Sequence, residues 1–456
     1  MYKLYCDPEV RAPAGEEVVK SPFLPYNYAC SNKIRSTAMR YSAQKGTGDI
    51  LPADIYKWQK TEKMFADVCH SFGYEEIRIP TFEQTDLFQR GVGDTTDVVT
   101  KEMYTFDDKG GRSITLRPEG TAGVVRSYIE NGMSSLPSPV RLFYNITAFR
   151  YEKMAKGRRR EFHQLGLESF GSTGPEIDAE IISVIDVFFK RMGLKNIALH
   201  INSIGCPACR SKYNEILKDH FRPHVGSMCE DCQARFEKNP LRMIDCKIDG
   251  EKEIVQSAPR LIDYLCDDCK AHFEGLKANL DAVGIKYDID PNIVRGLDYY
   301  TRTVFEFVSE NVGTQGTICG GGRYDGLVED CGGTATPGIG FAMGIERFLM
   351  EAEAQGVTFE PNDNVKIYLV GMSENAGAKI SKLCYDLRLN GIGCERDLMG
   401  RSFKSQMKYA GKQGIPYLAV IGDDELTSGE VKVKCMADGT ETPVSLDGLT
   451  DYLASR

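Results

Sequence analysis

The spacing of apolar and polar residues predicts a mixed α/β protein. After Pro52 the apolar residues recur at intervals of three, four or seven, which is typical of an amphipathic helix that Gly73 would end. Short alternating segments follow at irregular distances and predict strands. The predicted strands are Glu76–Pro80, Ile114–Arg117, Arg141–Tyr144, Ala198–Ile201 and Val304–Val308. Because these segments do not form regular βα repeats, we expect a mixed or antiparallel sheet with helices packed on it.

The C-terminal part of the chain predicts a separate small α/β domain after a polar linker at Glu351–Asn364. The elements predicted there are a strand at Val365–Val370, helices near Asn375–Leu389 and Phe403–Lys412, a strand at Tyr417–Ile421, and two short strands joined by a turn at Asp438–Gly439. We therefore expect a domain at residues 44–362 and another at residues 363–456. Residues 1–43 hold four prolines without periodicity and predict a poorly ordered extension.

Composition narrows the class of protein. A chain of 456 residues exceeds what one hydrophobic core organises, and 42% apolar residues indicate a globular protein. The longest apolar run, Ile181–Phe189, is interrupted by polar residues and is too short to cross a membrane. Fifteen cysteines without a secretory signal pattern predict reduced thiols in the cytoplasm. The net charge of −9 excludes a uniformly basic protein, but a local basic patch can still bind nucleic acid.

Two segments carry candidate binding chemistry. Thr115–Thr121 reads TLRPEGT, and its turn presents the oxygens of Glu119 and Thr121, which could hold an ammonium group or merely form a surface turn. Between Arg150 and Glu161 there are six basic and two acidic residues around Gly157, which predicts a hairpin loop. Arginine binds phosphate with a planar fork, so this loop suits a phosphate, although a solvated charged loop is the plain alternative.

Three further segments contain glycine, arginine or tyrosine in suggestive positions. Arg295 precedes Tyr299 and Tyr300 and could bind a carboxylate and a ring, although core packing explains them equally well. The spacing of Gly338–Leu349 does not match a dinucleotide-binding loop and instead predicts a strand-to-helix turn that leads to Arg347. Cys319–Asp325 is expected to be a glycine-rich loop that lets other groups lie close to its backbone. It is not expected to be a P-loop, because no G-K-[ST] follows.

Together these segments resemble class II aminoacyl-tRNA synthetases, and specifically the bacterial histidyl-tRNA synthetase family. Tyr74–Glu83, Phe149–Glu168 and Gly338–Leu349 resemble the three class motifs, and RGLDYYTRTVFEF and CGGGRYDGLV resemble the two histidine-specific signatures. The resemblance covers residues 45 to 456. It implies an antiparallel sheet flanked by helices, a helical cysteine-rich insertion near 206–285, and a C-terminal anticodon-binding domain.

The resemblance also implies an activity and its residues. The family joins L-histidine to ATP as an adenylate and passes the histidyl group to its tRNA, as a homodimer built through the first motif. The implied catalytic residues are Arg150, Arg295 and Arg347. The implied ATP-binding residues are Arg150, Glu152, Arg158, Phe162 and Arg347, with Mg²⁺ on the phosphates. The implied histidine-binding residues are Glu119, Gly120, Thr121, Arg150, Gln164, Glu168, Arg295, Tyr299, Tyr300 and Tyr324, with Glu168 and Tyr300 on the imidazole nitrogens. A catalytically silent, histidine-sensing regulatory subunit of ATP phosphoribosyltransferase is the alternative.

The insertion contains three C-x-x-C pairs. Cys206 and Cys209 are followed after 19 residues by Cys229 and Cys232, a spacing that suits a four-cysteine structural zinc site. Cys266 and Cys269 form an alternative pair, with Cys246 and three histidines nearby, so which pairs join is open. Reduced cysteines without metal and an iron–sulfur cluster are the competing interpretations. In the C-terminal domain, Arg401–Lys412 holds four basic residues and no acid, a pattern that suits an RNA backbone contact and fits an ordinary solvated face equally well.

Overall fold

An eight-stranded sheet forms the centre of the N-terminal part of the protein. The structure is a computed structural model that describes residues 41–93, 96, 98–312, 316–361 and 364–456. The described chain divides into two compact units between Glu360 and Pro361. The predicted N-terminal extension, residues 1–43, lies outside the described residues except for its last three.

The large sheet is mostly antiparallel, as the sequence predicts. Its order is β1-β5-β6-β11-β10-β9-β7-β8, and only the outer pairs β1–β5 and β7–β8 are parallel. A separate three-stranded sheet has the order β2-β4-β3. The strands are β1 Glu75–Glu76, β2 Phe82–Gln84, β3 Tyr104–Asp107, β4 Ser113–Leu116, β5 Val140–Phe149, β6 Glu161–Phe170, β7 Ala198–Ser203, β8 Asp288–Ile289, β9 Thr301–Val308, β10 Thr317–Arg323 and β11 Gly338–Gly344.

Helices cover this sheet and bury its apolar residues. The helices are α1 Ile55–Ser71, α2 Thr85–Val92, α3 Thr121–Glu130, α4 Pro175–Arg191, α5 Pro207–Phe221, α6 Glu230–Lys238, α7 Glu253–Gln256, α8 Asp267–Ala282, α9 Leu327–Asp330 and α10 Ile345–Ala354. Phe65 of α1 packs edge-to-face on Phe143, Phe188 and Phe341, which join α1, β5, α4 and β11. Burying such a side chain contributes about 1.5–3 kcal/mol, so these contacts fix the helices on the sheet. The predicted helix after Pro52 is confirmed.

Three predictions about local structure need correction. The expected strand Glu76–Pro80 pairs only at Glu75–Glu76, followed by one backbone bond from Ile77 to Phe143. Cys319–Asp325 is not a loop, because most of it is strand β10. Its glycines permit the close approach that was expected: a Cβ atom at Gly321 would lie 2.2 Å from the Gly340 carbonyl oxygen. The polar linker was placed too early, because Glu351 is buried within α10 and accepts the Ser309 hydroxyl at 2.6 Å.

The insertion between β7 and β8 is helical, as predicted, and comprises α5 to α8 with short 3-10 turns. Its interior contains Tyr213, Leu217, Phe221 and Phe236, which are buried together. A buried ionic network ties this insertion to the sheet. Arg323 at the end of β10 contacts Asp178 of α4 at 2.5 Å, and His272 of α8 lies 2.8 Å from the same carboxylate.

The second unit is a small α/β domain with the sheet order β13-β12-β14-β15-β16. Its elements are β12 Ile367–Gly371, α11 Ala376–Leu389, β13 Cys394–Arg396, α12 Phe403–Gln413, β14 Tyr417–Ile421, α13 Asp423–Ser428, β15 Glu430–Cys435, β16 Glu441–Ser445 and α14 Leu449–Ala454. The predicted strands and helices agree within two residues. The turn at Asp438–Gly439 joins β15 to β16, and Gly439 has a φ of +76°, which favours glycine. None of the helices in the described part of either unit has the length and apolarity needed to span a membrane.

Candidate active site

A cavity of about 580 Å³ opens over the large sheet beside the β5–β6 hairpin. Strands β6, β9, β10 and β11 form its floor, and the start of α3, the hairpin loop, the segment before β9 and the start of α10 form its walls. Eleven of the fourteen residues implied for histidine and ATP line it: Glu119, Thr121, Arg150, Glu152, Arg158, Phe162, Gln164, Arg295, Tyr299, Tyr300 and Arg347. The other three, Gly120, Glu168 and Tyr324, are buried next to this lining.

Glycines in the sheet make room for polar side chains at the base of this site. A Cβ atom at Gly340 would lie 1.8 Å from Glu168 Oε2, and one at Gly166 would lie 2.1 Å from the ring of Tyr144. Likewise, a Cβ atom at Gly320 would lie 2.5 Å from the guanidinium of Arg295. The glycines of the two glycine-rich segments therefore let functional side chains lie flat against the sheet, and do not form a nucleotide loop.

The TLRPEGT segment forms a corner between β4 and α3. The carboxylate of Glu119 accepts the backbone N–H groups of Thr121 at 2.7 Å and Ala122 at 2.8 Å, which are unpaired donors at the start of α3. Arg150 Nε donates to the Pro118 carbonyl oxygen at 2.8 Å, so the hairpin arginine is fixed against this corner. Burial raises the pKa of Glu119, although the two N–H donors and the charge of Arg150 oppose that rise.

Glu168 is the centre of a buried hydroxyl network. It accepts hydrogen bonds from Thr121 Oγ1 at 2.7 Å, Tyr144 OH at 3.1 Å and Tyr324 OH at 2.5 Å. Burial raises the pKa of Glu168 to about 8, because the cost of burying the charge outweighs the hydroxyl donors. Glu119 adds to this rise through like-charge repulsion.

The implied arginines reach the cavity from three elements. The Arg150 guanidinium lies 5.5 Å from the ring centre of Phe162 on β6. Arg295 forms an ion pair with Glu306 of β9 and lies 5.8 Å from the ring centre of Tyr300. Burial alone would lower the pKa of Arg295, but the charges and hydrogen bonds of Glu306 and Tyr300 together outweigh burial and raise it. Arg347 extends from the first turn of α10.

Burial also acts on Arg347 and lowers its pKa, in the same direction as the neighbouring Arg158. Arg158 in turn pairs with Glu152 at 3.3 Å. Two cations that repel each other across the mouth of the hairpin loop favour a bound anion between them.

The motif comparison missed four other residues at the site. Tyr144 and Glu306 lie in apolar strands and look like core positions in the sequence, and only the folded structure brings them to Glu168 and Arg295. Arg242 of the insertion lines the cavity and donates to the Arg295 carbonyl oxygen. Glu346 accepts the His163 N–H at 3.1 Å and lines the cavity beside Arg347. A charged residue inside an otherwise apolar strand, as at Glu306, is the signal that could have been used.

The cysteines assemble into two groups that differ from the predicted set. Cys206 and Cys209 lie with Cys266 and Cys269, whereas Cys229 and Cys232 lie with Cys246 and Asp249. A single site made of Cys206, Cys209, Cys229 and Cys232 is therefore wrong, and the alternative pair belongs with the first. The reason is tertiary: the start of α8 meets the start of α5, where the Cys266 N–H lies 3.1 Å from Cys209 Sγ, while the chain after α6 returns to the start of α6. Two of the three histidines near these cysteines are engaged elsewhere, His220 with the Ile254 carbonyl oxygen and His272 with Asp178.

Comparison with known proteins establishes the family. A profile of histidyl-tRNA synthetases matches residues 46–348, and a profile of anticodon binding domains matches residues 365–456. The chain is 61% identical over 415 residues to the histidine–tRNA ligase of Acetivibrio thermocellus, covering 91% of this chain and 100% of that protein. The chain belongs to the histidyl-tRNA synthetase family.

Solved structures support the same family. The crystal structure of apo S. aureus histidyl-tRNA synthetase is 42% identical, with a TM-score of 0.78 over 91% of this chain and 99% of that one. A second solved structure is described as an ATP phosphoribosyltransferase regulatory subunit/histidyl-tRNA synthetase from Bacillus halodurans C. It is 20% identical, with a TM-score of 0.58 over 84% of this chain and 98% of that one, so this likeness shows the fold alone. The predicted family and fold class are confirmed, and the regulatory-subunit alternative is not favoured.

Proposed function

We propose that this chain is an ATP-dependent histidine–tRNA ligase whose described cavity activates L-histidine. The histidine carboxylate attacks the α-phosphate of ATP, which gives histidyl-adenylate and pyrophosphate, and the histidyl group then passes to the terminal adenosine of tRNA. Neither step needs a side-chain nucleophile, so the protein has to position the reactants and stabilise developing negative charge. The observation that carries the proposal is that one cavity brings Glu119 and Thr121 together with Arg150, Arg295 and Arg347.

The α-ammonium group of histidine fits the corner between β4 and α3. Thr121 donates its hydroxyl hydrogen to Glu168, so the oxygen keeps lone pairs for an incoming N–H donor. Gln164 Oε1 is buried and has no hydrogen-bond partner among the described residues, which supports it as a second acceptor. The carboxylate of Glu119 supplies the compensating charge. These three oxygens together suit a cationic amine.

The imidazole is assigned to the tyrosine-lined end of the cavity. Tyr299 and Tyr300 have ring centres 4.6 Å apart, and Tyr299 lies 5.7 Å from Tyr324. Glu168 already accepts three hydroxyls, and its ionised form, which an incoming imidazole N–H would stabilise, has about four lone-pair sites, so one remains for that N–H. Tyr300 would serve the other nitrogen. A site that pairs both nitrogens discriminates by roughly 10⁴-fold against analogues that lack them.

ATP is assigned to the arginine-lined end. Seven basic side chains line the cavity, and so do seven acidic ones, so its net charge does not attract a nucleotide by itself. The basic residues are Arg150, Arg158, Arg159, Arg242, Lys247, Arg295 and Arg347; the acidic ones are Glu102, Glu119, Glu152, Asp245, Asp290, Glu306 and Glu346. Selectivity must therefore come from placement. Arg150 and Arg295 would hold the α-phosphate, Arg347 the γ-phosphate, and Phe162 the adenine, with Glu152 and Arg158 beside it.

Mg²⁺ is expected to enter with the nucleotide. In the described part of the cavity, no three acidic side chains converge closely enough to hold a metal ion by themselves. Mg²⁺ usually keeps waters and binds through one or two carboxylates plus substrate phosphates, so an incomplete set of carboxylates fits it. Glu152 and Glu306 are the carboxylates that we assign to this role, since both line the arginine end. The ion would neutralise phosphate charge.

A structural zinc ion is assigned to Cys206, Cys209, Cys266 and Cys269. Their sulfur atoms lie within 4.8 Å of one another, with 3.6 Å between Cys206 and Cys209 and 4.0 Å between Cys206 and Cys266. Tetrahedral zinc with bonds of about 2.3 Å places sulfur atoms about 3.8 Å apart, which matches. These separations exceed the length of a disulfide bond. The ion would tie the start of α5 to the start of α8.

The macromolecular partners follow from the family. The C-terminal unit would bind the tRNA anticodon stem, and the exposed Lys404, Lys408 and Lys412 on α12 suit its phosphates. Arg401 is less available, because it pairs with Asp397 at 2.9 Å. We further propose a cytoplasmic homodimer that assembles through Tyr74–Glu83, where Phe82 is 54% exposed.

Histidine-dependent exchange of pyrophosphate into ATP tests the proposed site. Wild-type protein should exchange with histidine and with none of the other amino acids. Histidinol keeps the ammonium and the imidazole but lacks the carboxylate, so it should inhibit without supporting exchange. Thr121→Val should raise the KM for histidine while leaving the KM for ATP near its original value. Thr336→Val, a partly exposed threonine outside the cavity, is the matched control.

Folded protein without any histidine-dependent exchange would contradict the proposal and favour the regulatory-subunit alternative. An equal rise in both KM values for Thr121→Val would show that the corner does not bind the amino acid specifically.

A further inference from the structure

The insertion contains a second group of metal-ligating side chains outside the active site. Cys229, Cys232, Cys246 and Asp249 each offer one ligand atom, and these four atoms lie within 4.8 Å of one another. We propose that this group is a second zinc site, with three thiolates and one carboxylate, distinct from the four-cysteine site.

The local structure around these cysteines repeats that of the four-cysteine group. In each C-x-x-C pair, the first cysteine immediately precedes a helix and the second lies in its first turn: Cys206 and Cys209 at α5, Cys229 and Cys232 at α6, and Cys266 and Cys269 at α8. Backbone N–H groups at such helix starts are unpaired and stabilise nearby thiolates. The pair at α6 is therefore built in the same way as the two pairs that face each other.

The distances and burial suit a metal ion better than a disulfide or free thiols. The sulfur atoms of Cys229 and Cys246 are 3.6 Å apart, near the roughly 3.8 Å expected for two ligands of tetrahedral zinc and well beyond a disulfide bond. Cys232 is fully buried and Cys246 is 7% exposed. The backbone N–H of Asp249 points at Cys246 Sγ at 3.4 Å, a contact that supports a ligating thiolate.

Asp249 is the feature that distinguishes this site. Its side chain is 1% exposed although it carries a carboxylate. One oxygen accepts the Cys229 N–H at 2.8 Å, and the other lies 2.7 Å from Lys252 Nζ. These contacts orient the carboxylate and leave lone pairs for a metal ion. Lys252 offsets the single charge of this buried carboxylate, so three neighbouring thiolates would need a metal ion to balance their charge.

The site closes the segment from Cys229 to Asp249 onto itself, and this segment contacts the active site. Asn239 donates to Asp298 at 3.0 Å, and Arg242 donates to the Arg295 carbonyl oxygen, so the segment holds the loop that carries Arg295. Zinc at this position would therefore position Arg295 indirectly. This consequence rests on the proposed function, whereas the metal site itself does not.

Metal counting by native mass spectrometry of the full chain, purified after expression with added zinc, tests the site. Wild-type protein should carry two zinc ions per chain, and Cys232→Ser and Cys269→Ser should each carry one. Cys331→Ser, a partly exposed cysteine outside both groups, should keep two. One ion in wild-type protein that survives in Cys232→Ser would overturn the proposal, and so would no ion at all.

Cobalt substitution gives a second measurement that does not require a cysteine variant to fold. Wild-type protein should bind two Co²⁺ ions with the intense visible bands of tetrahedral coordination. Asp249→Asn should shift the ligand-field bands of one ion and leave its thiolate charge-transfer bands in place, because only the oxygen ligand changes. Identical spectra for Asp249→Asn and wild-type protein would remove Asp249 from the site.

Pyrophosphate exchange then separates the metal site from its consequence. Arg242→Met should lower kcat while keeping two zinc ions, and Cys232→Ser should lower kcat by a similar factor with one ion. Full activity of Cys232→Ser with one zinc ion would refute the positioning role and leave the metal site standing.

Discussion

Glu168 gives the most quantitative prediction, because its burial links ionisation to stability. In the unfolded chain its carboxyl group ionises near its ordinary pKa of 4.5, and in the folded protein near 8. Between these values unfolding releases a proton, so the free energy of unfolding falls as the pH rises, by about 1.4 kcal/mol per pH unit. Over the whole interval the free energy of unfolding falls by about 5 kcal/mol, and below pH 4.5 this loss is absent.

Glu168→Gln removes the titrating group and should remove this dependence. The amide cannot accept all three hydroxyls as the carboxyl does, so the variant carries an offset that is constant with pH. The difference in unfolding free energy between variant and wild type should therefore be compared across pH. Between pH 5 and pH 8, the free energy of unfolding of Glu168→Gln should rise by about 3–4 kcal/mol relative to that of the wild-type protein.

The chain offers a built-in reporter for this measurement. Trp58 is its single tryptophan, lies in α1 and is 8% exposed, so its fluorescence reports unfolding of the unit that contains Glu168. Urea titrations at fixed protein concentration and several pH values supply the free energies. Asp67→Asn is the control: this surface carboxyl is also on α1, its hydrogen bond with Lys63 lowers its pKa, and it is ionised in both states throughout this range.

Equal pH dependence in wild-type protein and Glu168→Gln would refute the reasoning. It would mean that Glu168 stays ionised in the folded protein, and that the hydroxyls of Thr121, Tyr144 and Tyr324 outweigh the cost of burial.

Three further predictions concern the site and its support. Arg295→Ala should lower adenylate formation by about 10² to 10³-fold in pyrophosphate exchange, the scale for one preorganised donor, and near-normal exchange would remove it from the mechanism. Gly340→Ala should lower the free energy of unfolding of this unit by roughly 1–3 kcal/mol, because the added Cβ would collide with Glu168. Urea titrations followed by Trp58 fluorescence measure this change. Gly226→Ala is the control and should leave the stability unchanged, because there is open space around Gly226. Arg323→Met should lower the free energy of unfolding by about 3–5 kcal/mol, because Asp178 stays buried without the arginine that pairs with it. In urea titrations, the double variant with Asp178→Asn should recover part of that loss. No recovery would contradict the pairing.

The sequence predicted the elements whose apolar pattern is regular. The helix after Pro52, the long strands β5 and β9, and the α/β order of the C-terminal unit follow from side-chain periodicity. Strand β10 was missed because its three consecutive glycines, Gly320 to Gly322, carry no side chain and so no pattern. Glu351 was taken as a linker residue because a buried, hydrogen-bonded carboxylate looks like a surface residue in the sequence.

The site was predicted by motif resemblance more than by physics. The resemblance named residues on separate elements, and eleven of them line one cavity. Tyr144 and Glu306 were missed because only strand pairing shows which face of the sheet they occupy. The cysteine groups were missed for a similar reason, since each C-x-x-C spacing is local but the partner of each pair depends on how α5, α6 and α8 pack.

Transfer of histidine to tRNA tests the central claim most directly. Purified protein should charge bulk tRNA with radiolabelled histidine in the presence of ATP and Mg²⁺, and should charge none with the other amino acids. Removing the anticodon-binding residues 365–456 should weaken charging far more than it weakens pyrophosphate exchange. Folded protein that binds histidine but neither exchanges pyrophosphate nor charges tRNA would contradict the account.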